Sequence, residues 1–225
     1  MKPPPITLAL SDAPRALVDG AFLKLVHPLL EKLPRATESH SVMVIPGFLG
    51  DDRGNGPLIR FLQGLGYHAS GWGQGRNLGT ASFSEDSLTE ALSELAAQGG
   101  GKVSLVGHSL GGIYAREIAR MEPESIRQVI TLGSPFAPGH EEASHASRFY
   151  KRLNPQEHRE LVDPNPPPVP TTAIYTKGDG VVNWRTSLQR GEGHHVDNIR
   201  VFGSHIGLNI NAAVWYWVAK KLASH

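Results

Sequence analysis

The sequence contains no cysteine. That excludes disulfides, thiolate metal sites, Fe–S clusters and a cysteine nucleophile, and leaves Ser, Thr, His, Asp, Glu and Lys to carry any chemistry. An excess of charge of one sign is also missing: 22 basic against 21 acidic residues leave a formal net charge of +1. Bulk electrostatics therefore favour neither nucleic acid nor an anionic membrane as a partner. No uninterrupted apolar run approaches the ~18 residues of a membrane span, so no stable membrane insertion is expected. The start, Met1-Lys2-Pro3-Pro4-Pro5 before the short run Ile6 to Leu10, has too little apolar length and too much proline for a secretory signal. A cytoplasmic protein is the expectation, and the sequence carries no signal of oligomeric state.

Glycine (25 residues) and proline (17) make up about a fifth of the 225 residues, below the roughly 25–30% that marks low complexity. With 40% apolar residues and ~150 residues per domain as a guide, the chain fits one domain spanning 1–225. Five short apolar runs end at glycine or a Gly-Pro pair: Ser41 to Ile45, Lys102 to Val106, Arg127 to Leu132, Thr172 to Tyr175 and Ile199 to Phe202. Helical patterns lie between them, one carrying Leu88, Leu92 and Leu95 and the last Trp215, Val218, Ala219 and Leu222. This alternation predicts an α/β fold with a mostly parallel central sheet and helices on both faces. Function in such sheets gathers at the carboxyl ends of the strands.

Two segments break the rhythm. Residues 13–34 carry Leu17, Val18, Ala21, Phe22, Leu25, Val26, Leu29, Leu30 and Leu33, read as a helix packed on the body in preference to one lying on a membrane or docking a partner. Residues 136–170, ending in Pro164-Asn165-Pro166-Pro167-Pro168-Val169-Pro170, are too long for a plain connection. They read as a short cap-like insert with a stiff end.

Gly107-His108-Ser109-Leu110-Gly111 has the form G-x-S-x-G, with a strand before it and a helix after it. A chain turning this sharply has no room for side chains at 107 and 111, and the strained elbow presents the Ser109 hydroxyl above the sheet. A serine hydroxyl is a weak nucleophile, so it needs a histidine to take its proton and a carboxylate to orient that histidine. His205, just past the last strand, is preferred over His194 and His195, which precede it. Asp179, in Lys177-Gly178-Asp179-Gly180 beyond the fourth strand, is preferred over Asp197, which precedes a strand, and over Asp163 in the Pro-rich stretch.

An oxyanion needs two preorganised amides. Leu110, opening a helix directly after the nucleophile, supplies one, and Phe48 in Pro46-Gly47-Phe48-Leu49-Gly50 the other. The glycine-rich loop Gly71 to Gly79 lacks the lysine and serine of a phosphate-binding loop and is read as a pocket wall at the end of a sheet strand. His140, His145, His158, His194 and His195 offer no H-x-x-x-H or H-E-x-x-H spacing, so no metal is expected.

Five motifs in order, Pro46 to Gly50, Gly71 to Gly79, Gly107 to Gly112, Tyr175 to Val182 and Ser204 to Leu208, span residues about 42 to 222. With them the chain resembles the α/β-hydrolase superfamily, in particular small bacterial serine lipases and esterases. One departure is Pro46-Gly47, where many lipases have His-Gly. The resemblance implies a cofactor-free enzyme with Ser109, Asp179 and His205 as triad and the Phe48 and Leu110 amides as oxyanion hole. Its small-molecule ester substrate is expected to meet Gly47, Leu49, Trp72, Asn77, His108, Phe136 and Val181, in a shallow groove favouring short to medium acyl chains. Two other readings stay open: an acyltransferase using the same triad with alcohol or amine acceptors, and a non-catalytic binding scaffold. Dehalogenase and epoxide-hydrolase chemistry is disfavoured, because both need a carboxylate where Ser109 stands.

Overall fold

Val42 and Val44 point to one side of the first strand and Met43 and Ile45 to the other, and both sides are buried. A strand covered on both faces must be apolar throughout, which is why the alternation of a half-solvated strand is missing here. The computed structural model describes residues 1–36, 38–80, 85–139, 142–155, 163–190 and 196–224. Six strands form one sheet: β1 (Ser41–Ile45), β2 (His68–Gly71), β3 (Val103–His108), β4 (Ile126–Leu132), β5 (Thr171–Thr176) and β6 (Val196–Val201). Their spatial order is β2-β1-β3-β4-β5-β6 and every pairing is parallel. The fold is that of an α/β-hydrolase.

β2 is not among the five apolar runs. Its sequence, His-Ala-Ser-Gly, buries only Ala69 at the edge of the sheet. β3 runs two residues past Val106, carrying Gly107 and His108 into the sheet, and β6 begins three residues before Ile199.

The helices are α1 (Ile6–Leu30), α2 (Asp52–Gly64), α3 (Glu85–Gln98), α4 (Leu110–Met121), α5 (Ser147–Leu153) and α6 (Ala212–Leu222). Two cores result. On one face Leu58, Leu62, Trp215 and Val218 from α2 and α6, with Leu23 and Leu30 of α1, cover Val42, Val44, Val106 and Ile130. On the other, Leu88, Leu92 and Leu95 of α3 and Ile113 and Ala115 of α4 cover Met43, Ile45, Leu105 and Val129. Among the described residues no helix is long and apolar enough to cross a membrane.

α1 corrects the expectation for residues 13–34. It starts seven residues earlier, and most of its apolar stripe faces out: Leu17, Val18, Phe22, Leu25 and Leu29 are exposed, whereas Leu30 is buried. Its inward side also holds Asp12, Arg15 and Asp19, bonded to loops at the top of the sheet, with Ser11 accepting from Arg15.

In the 136–170 segment, the Pro-rich end is pinned from α4. The buried Arg116 guanidinium donates to the carbonyls of Asp163, Pro164 and Asn165, and Arg120 donates to that of Asp163 at 2.8 Å. Arg120 also pairs with the Asp163 carboxylate.

The chain leaves β1 for the edge at β2 and returns on the other side of β1 to form β3, so a crevice opens between the carboxyl ends of β1 and β3. There Gly107 and Gly111 set the approach of α4. A Cβ on Gly111 would sit 2.6 Å from the Pro46 carbonyl, and one on Gly107 2.5 Å from the Gly111 carbonyl carbon. Since both obstacles are backbone, Gly111→Ala should cost at least about 3 kcal/mol in urea unfolding. Gly54→Ala, in α2 with nothing within 4 Å of the new Cβ, should be neutral or stabilising by about 0.5–1 kcal/mol.

Candidate active site

Two non-glycine residues among those described have positive φ, Leu49 (66°) and Ser109 (51°), one on each side of the crevice. Such backbone strain persists only where surrounding structure enforces it. At Ser109 the enforcement is visible: its amide donates to Leu132 at 2.8 Å, and α4 starts at the next residue. The hydroxyl thereby stands above the sheet and donates to His205 Nε2 at 3.1 Å. His205 Nδ1 in turn donates to Asp179 Oδ2 at 2.6 Å, and Asp179 Oδ1 accepts the amides of Val181 (2.9 Å) and Val182 (2.6 Å). A carboxylate can only accept, so Nδ1 carries the proton and Nε2 faces the serine as a base. Burial alone would pull the His205 pKa down, but the charge and hydrogen bond of Asp179, joined by the charge of Asp12, outweigh it and hold the imidazole above its usual value.

Phe48 and Leu110 line the same cleft as Ser109, and their amides donate to no described group, whereas those of Leu49, Gly50 and Ser109 are all bonded. Leu49 N donates to Asn77 O at 2.7 Å, Asn77 N to Gly50 O at 2.8 Å, and Asn77 Nδ2 to Pro46 O at 2.7 Å. Asn77 thus buckles the Phe48 loop from below. It is fully buried and does not line the cleft.

Trp72 and Phe136 are corrected in the same way. Trp72 donates Nε1 to Gly75 and packs in the core with Met43 and Ile45. The Gly71–Gly79 loop is therefore a support held by Asp52, which accepts the Trp72 and Gly73 amides, and not a pocket wall. Phe136 is buried with the Arg116 guanidinium 3.9 Å over its ring. Gly47, Leu49, His108 and Val181 line the cleft, whose volume is ≈ 550 Å³. Beside them stand residues that sequence reasoning did not single out: Ser144, Phe149 and Tyr150 from the insert, and Ile206, Asn209 and Ile210 after His205. The ring of Phe48 contacts those of Phe149 and Tyr150, at centroid distances of 5.8 and 5.1 Å.

His108 is buried beside His205, with the two ring centroids 5.0 Å apart. Its Nε2 donates to the His205 carbonyl at 3.0 Å and its Nδ1 accepts from Asn209 Nδ2 at 3.3 Å. Burial, aided by the charge of His205, lowers its pKa to about 3, so it stays a neutral strut. Asp197 sits at the start of β6 and pairs with Lys221. Among the described residues no cluster of three His, Cys, Asp or Glu could hold a metal ion. His145 bonds the Pro4 carbonyl, and His140, His158, His194 and His195 lie outside the described residues.

Residues 74–202, more than half of the chain, match the PGAP1-like alpha/beta domain. The chain belongs to that family. Two triacylglycerol lipases, from Pseudarthrobacter phenanthrenivorans and Burkholderia plantarii, are each 41% identical to this PGAP1-like domain over 51 residues. Those stretches cover 23% of this chain but only 16% and 14% of the lipases. A structure of the metagenome-derived lipolytic enzymes LipS and LipT superposes with a TM-score of 0.63 at 13% identity, covering 86% of this chain and 97% of its own. The monoacylglycerol lipase of Paleococcus ferrophilus (TM-score 0.55, 14% identity, 84% and 97% covered) is also similar. So is the thioesterase domain from the curacin biosynthetic pathway (0.54, 16%, 84% and 92%). At such identities the likeness is one of fold, and the shared fold is that of the α/β-hydrolases.

The carboxylate that joins the two loops of the site comes from α1. Asp12 accepts the amides of Gly180 (2.8 Å), His205 (3.0 Å) and Ile206 (2.9 Å), and Asp19 accepts the Ser204 amide and hydroxyl. The sequence signal was available: Ser11, Asp12, Arg15 and Asp19 form one polar stripe in the first half of a largely apolar helix. Asp12→Ala strands three amides, two of them buried, and loosens His205 against Asp179. It should lower kcat by about 10–100-fold with little change in KM. Removing that negative charge also favours the neutral imidazole, so the acid limb of the kcat/KM profile should move to lower pH.

Proposed function

We propose that the protein is a serine carboxylic-ester hydrolase acting through an acyl-Ser109 intermediate, built as one domain with residues 136–170 as a short cap-like insert. The observation that carries this reading is the unbroken relay from the Ser109 hydroxyl through His205 to Asp179, set beside two undirected amides. His205 Nε2 takes the hydroxyl proton as Ser109 Oγ bonds the ester carbonyl carbon. The oxyanion so formed is received by the Phe48 and Leu110 amides, which are already oriented and cost no reorganisation. Asp179 holds the tautomer and stabilises the imidazolium. The imidazolium returns its proton to the departing alkoxide as the carbonyl reforms, leaving acyl-Ser109 and free alcohol. Water then repeats the sequence: His205 takes its proton, the hydroxyl oxygen bonds the acyl carbon, and Ser109 leaves with the proton regained.

The cleft of ≈ 550 Å³ between the Phe48 loop and the first part of the insert supports a preference for short to medium acyl chains. Each methylene contributes ~0.8 kcal/mol only while there is wall to bury it against. Across a p-nitrophenyl ester series from acetate to palmitate, kcat/KM should climb over the first carbons and then flatten or fall. A steady rise to palmitate would contradict the size reading.

Ser109→Ala or His205→Ala should lower kcat by roughly 10⁴–10⁶-fold with thermal unfolding retained, and Asp179→Asn by about 10⁴-fold. Near-full activity in Asp179→Asn would remove the acid from this assignment.

Attack needs neutral His205, and the Asp179 and Asp12 charges hold its pKa above the usual ~6.5. A higher pKa keeps more of the base protonated at any given pH. Activity of the free enzyme should therefore rise with pH through a midpoint above that value and level off on the alkaline side. Stopped assays of kcat/KM between acid and alkaline buffers check the sign, and a midpoint below ~6.5 would contradict it.

A further inference from the structure

α1 is apolar on two sides: Ala16, Leu23 and Leu30 are buried against the body, and a second set of apolar residues faces out. Its inward side is tied by Asp12, Arg15 and Asp19 to the loops that carry Asp179 and His205. Its outward side carries Ile6, Leu10, Leu17, Val18, Phe22, Leu25 and Leu29, each between 56% and 77% exposed. Single exposed apolar residues are ordinary on a protein surface, but seven large ones on one helix face mark an interaction surface. The exposed residues of α1 include no carboxylate, and Lys24 is their one charged side chain.

Beside this face, between α1 and α2, runs a groove of ≈ 1090 Å³ whose walls include Leu17, Ala21, Phe61 and Trp215. Three exposed cations line it, Lys24, Arg35 and Arg60, and none is in an ion pair with a described carboxylate. Glu31, the acid in the same lining, faces His27 at 3.6 Å. Ile210 lines both this groove and the Ser109 cleft, so apolar face, cations and cleft are continuous.

We propose that the outer face of α1 docks the protein onto the surface of an anionic lipid aggregate, with Lys24, Arg35 and Arg60 meeting the headgroups and the outward leucines and Phe22 entering the interface. The charge pattern selects this occupant. A second copy pairing through the same face would bring three cations of each chain together with only Glu31, which already faces His27, to meet them, whereas an anionic headgroup layer supplies the countercharge. The inward carboxylates cannot leave the loops they bond, so the helix lies on the surface and does not cross it. Docking would present the cleft to esters held at that surface, and this last step alone rests on the ester-hydrolase reading.

The test is flotation of the 225-residue Ser109→Ala chain, which leaves lipid intact, with vesicles of phosphatidylcholine alone or mixed with phosphatidylglycerol. Binding should be about tenfold or more stronger to the mixed vesicles and should weaken with salt. Leu17→Glu with Leu25→Glu, both fully outward and expected to leave thermal unfolding unchanged, should cut it by about tenfold or more. Lys24→Glu with Arg60→Glu should remove the preference for phosphatidylglycerol. No flotation with either vesicle, or binding indifferent to the leucine pair, would overturn the proposal. So would a lipid-free dimer that the leucine pair dissolves. Docking without ester hydrolysis by the wild-type chain would overturn the proposed reaction and leave the surface standing.

Discussion

The close crossing of backbones at the top of β1 and β3 governs everything placed there. Because Gly107, Gly111 and Gly112 have no side chains, α4 can begin within contact distance of the Ile45, Pro46 and Gly107 carbonyls and of Ser134. The chain must then reverse within one residue, and Ser109 takes the strain at φ 51°. That single constraint lifts the hydroxyl above the sheet at the start of α4 and leaves the Phe48 loop lining the same cleft. Asn77, Asp52 and the Gly71–Gly79 loop then serve one purpose, holding that wall at a fixed height.

The other half of the site depends on α1. His205 and Asp179 sit on loops after neighbouring strands, and loops by themselves are the least rigid part of such a fold. Two inward carboxylates, Asp12 and Asp19, convert them into a braced unit by accepting the Gly180, Ser204, His205 and Ile206 amides. These bonds explain why α1 keeps its polar stripe inward beside Ala16, Leu23 and Leu30 and leaves its other large apolar residues toward solvent. The sign of the His205 shift follows from the same arrangement, since the brace that fixes the ring also adds negative charge near it.

Much of this was legible because the chemistry is punctuated. Strands ended where glycine or proline interrupted an apolar run, and residues at those endings, Ser109, Asp179 and His205, were therefore expected at one edge of the sheet, where the structure brings them within hydrogen-bond reach. What stayed hidden had physical reasons. β2 buries one residue at a sheet edge, so it leaves almost no hydrophobic signal. Trp72 and Phe136 are large apolar side chains for which residue type alone does not separate core from cleft, and Asn77 hides its purpose in backbone bonds. Periodicity found the apolar stripe of α1 but could not say which way it faces, because that is decided by carboxylates whose partners lie more than 160 residues away.

The account stands on Ser109 being a nucleophile that His205 activates. The most direct measurement is intact and peptide mass spectrometry after exposure to a fluorophosphonate, compared between the wild-type chain and His205→Ala. One adduct per chain on the peptide containing Ser109, forming faster as pH rises and nearly lost in the variant, is the predicted result. No adduct, or labelling elsewhere that persists in Ser109→Ala, would contradict it.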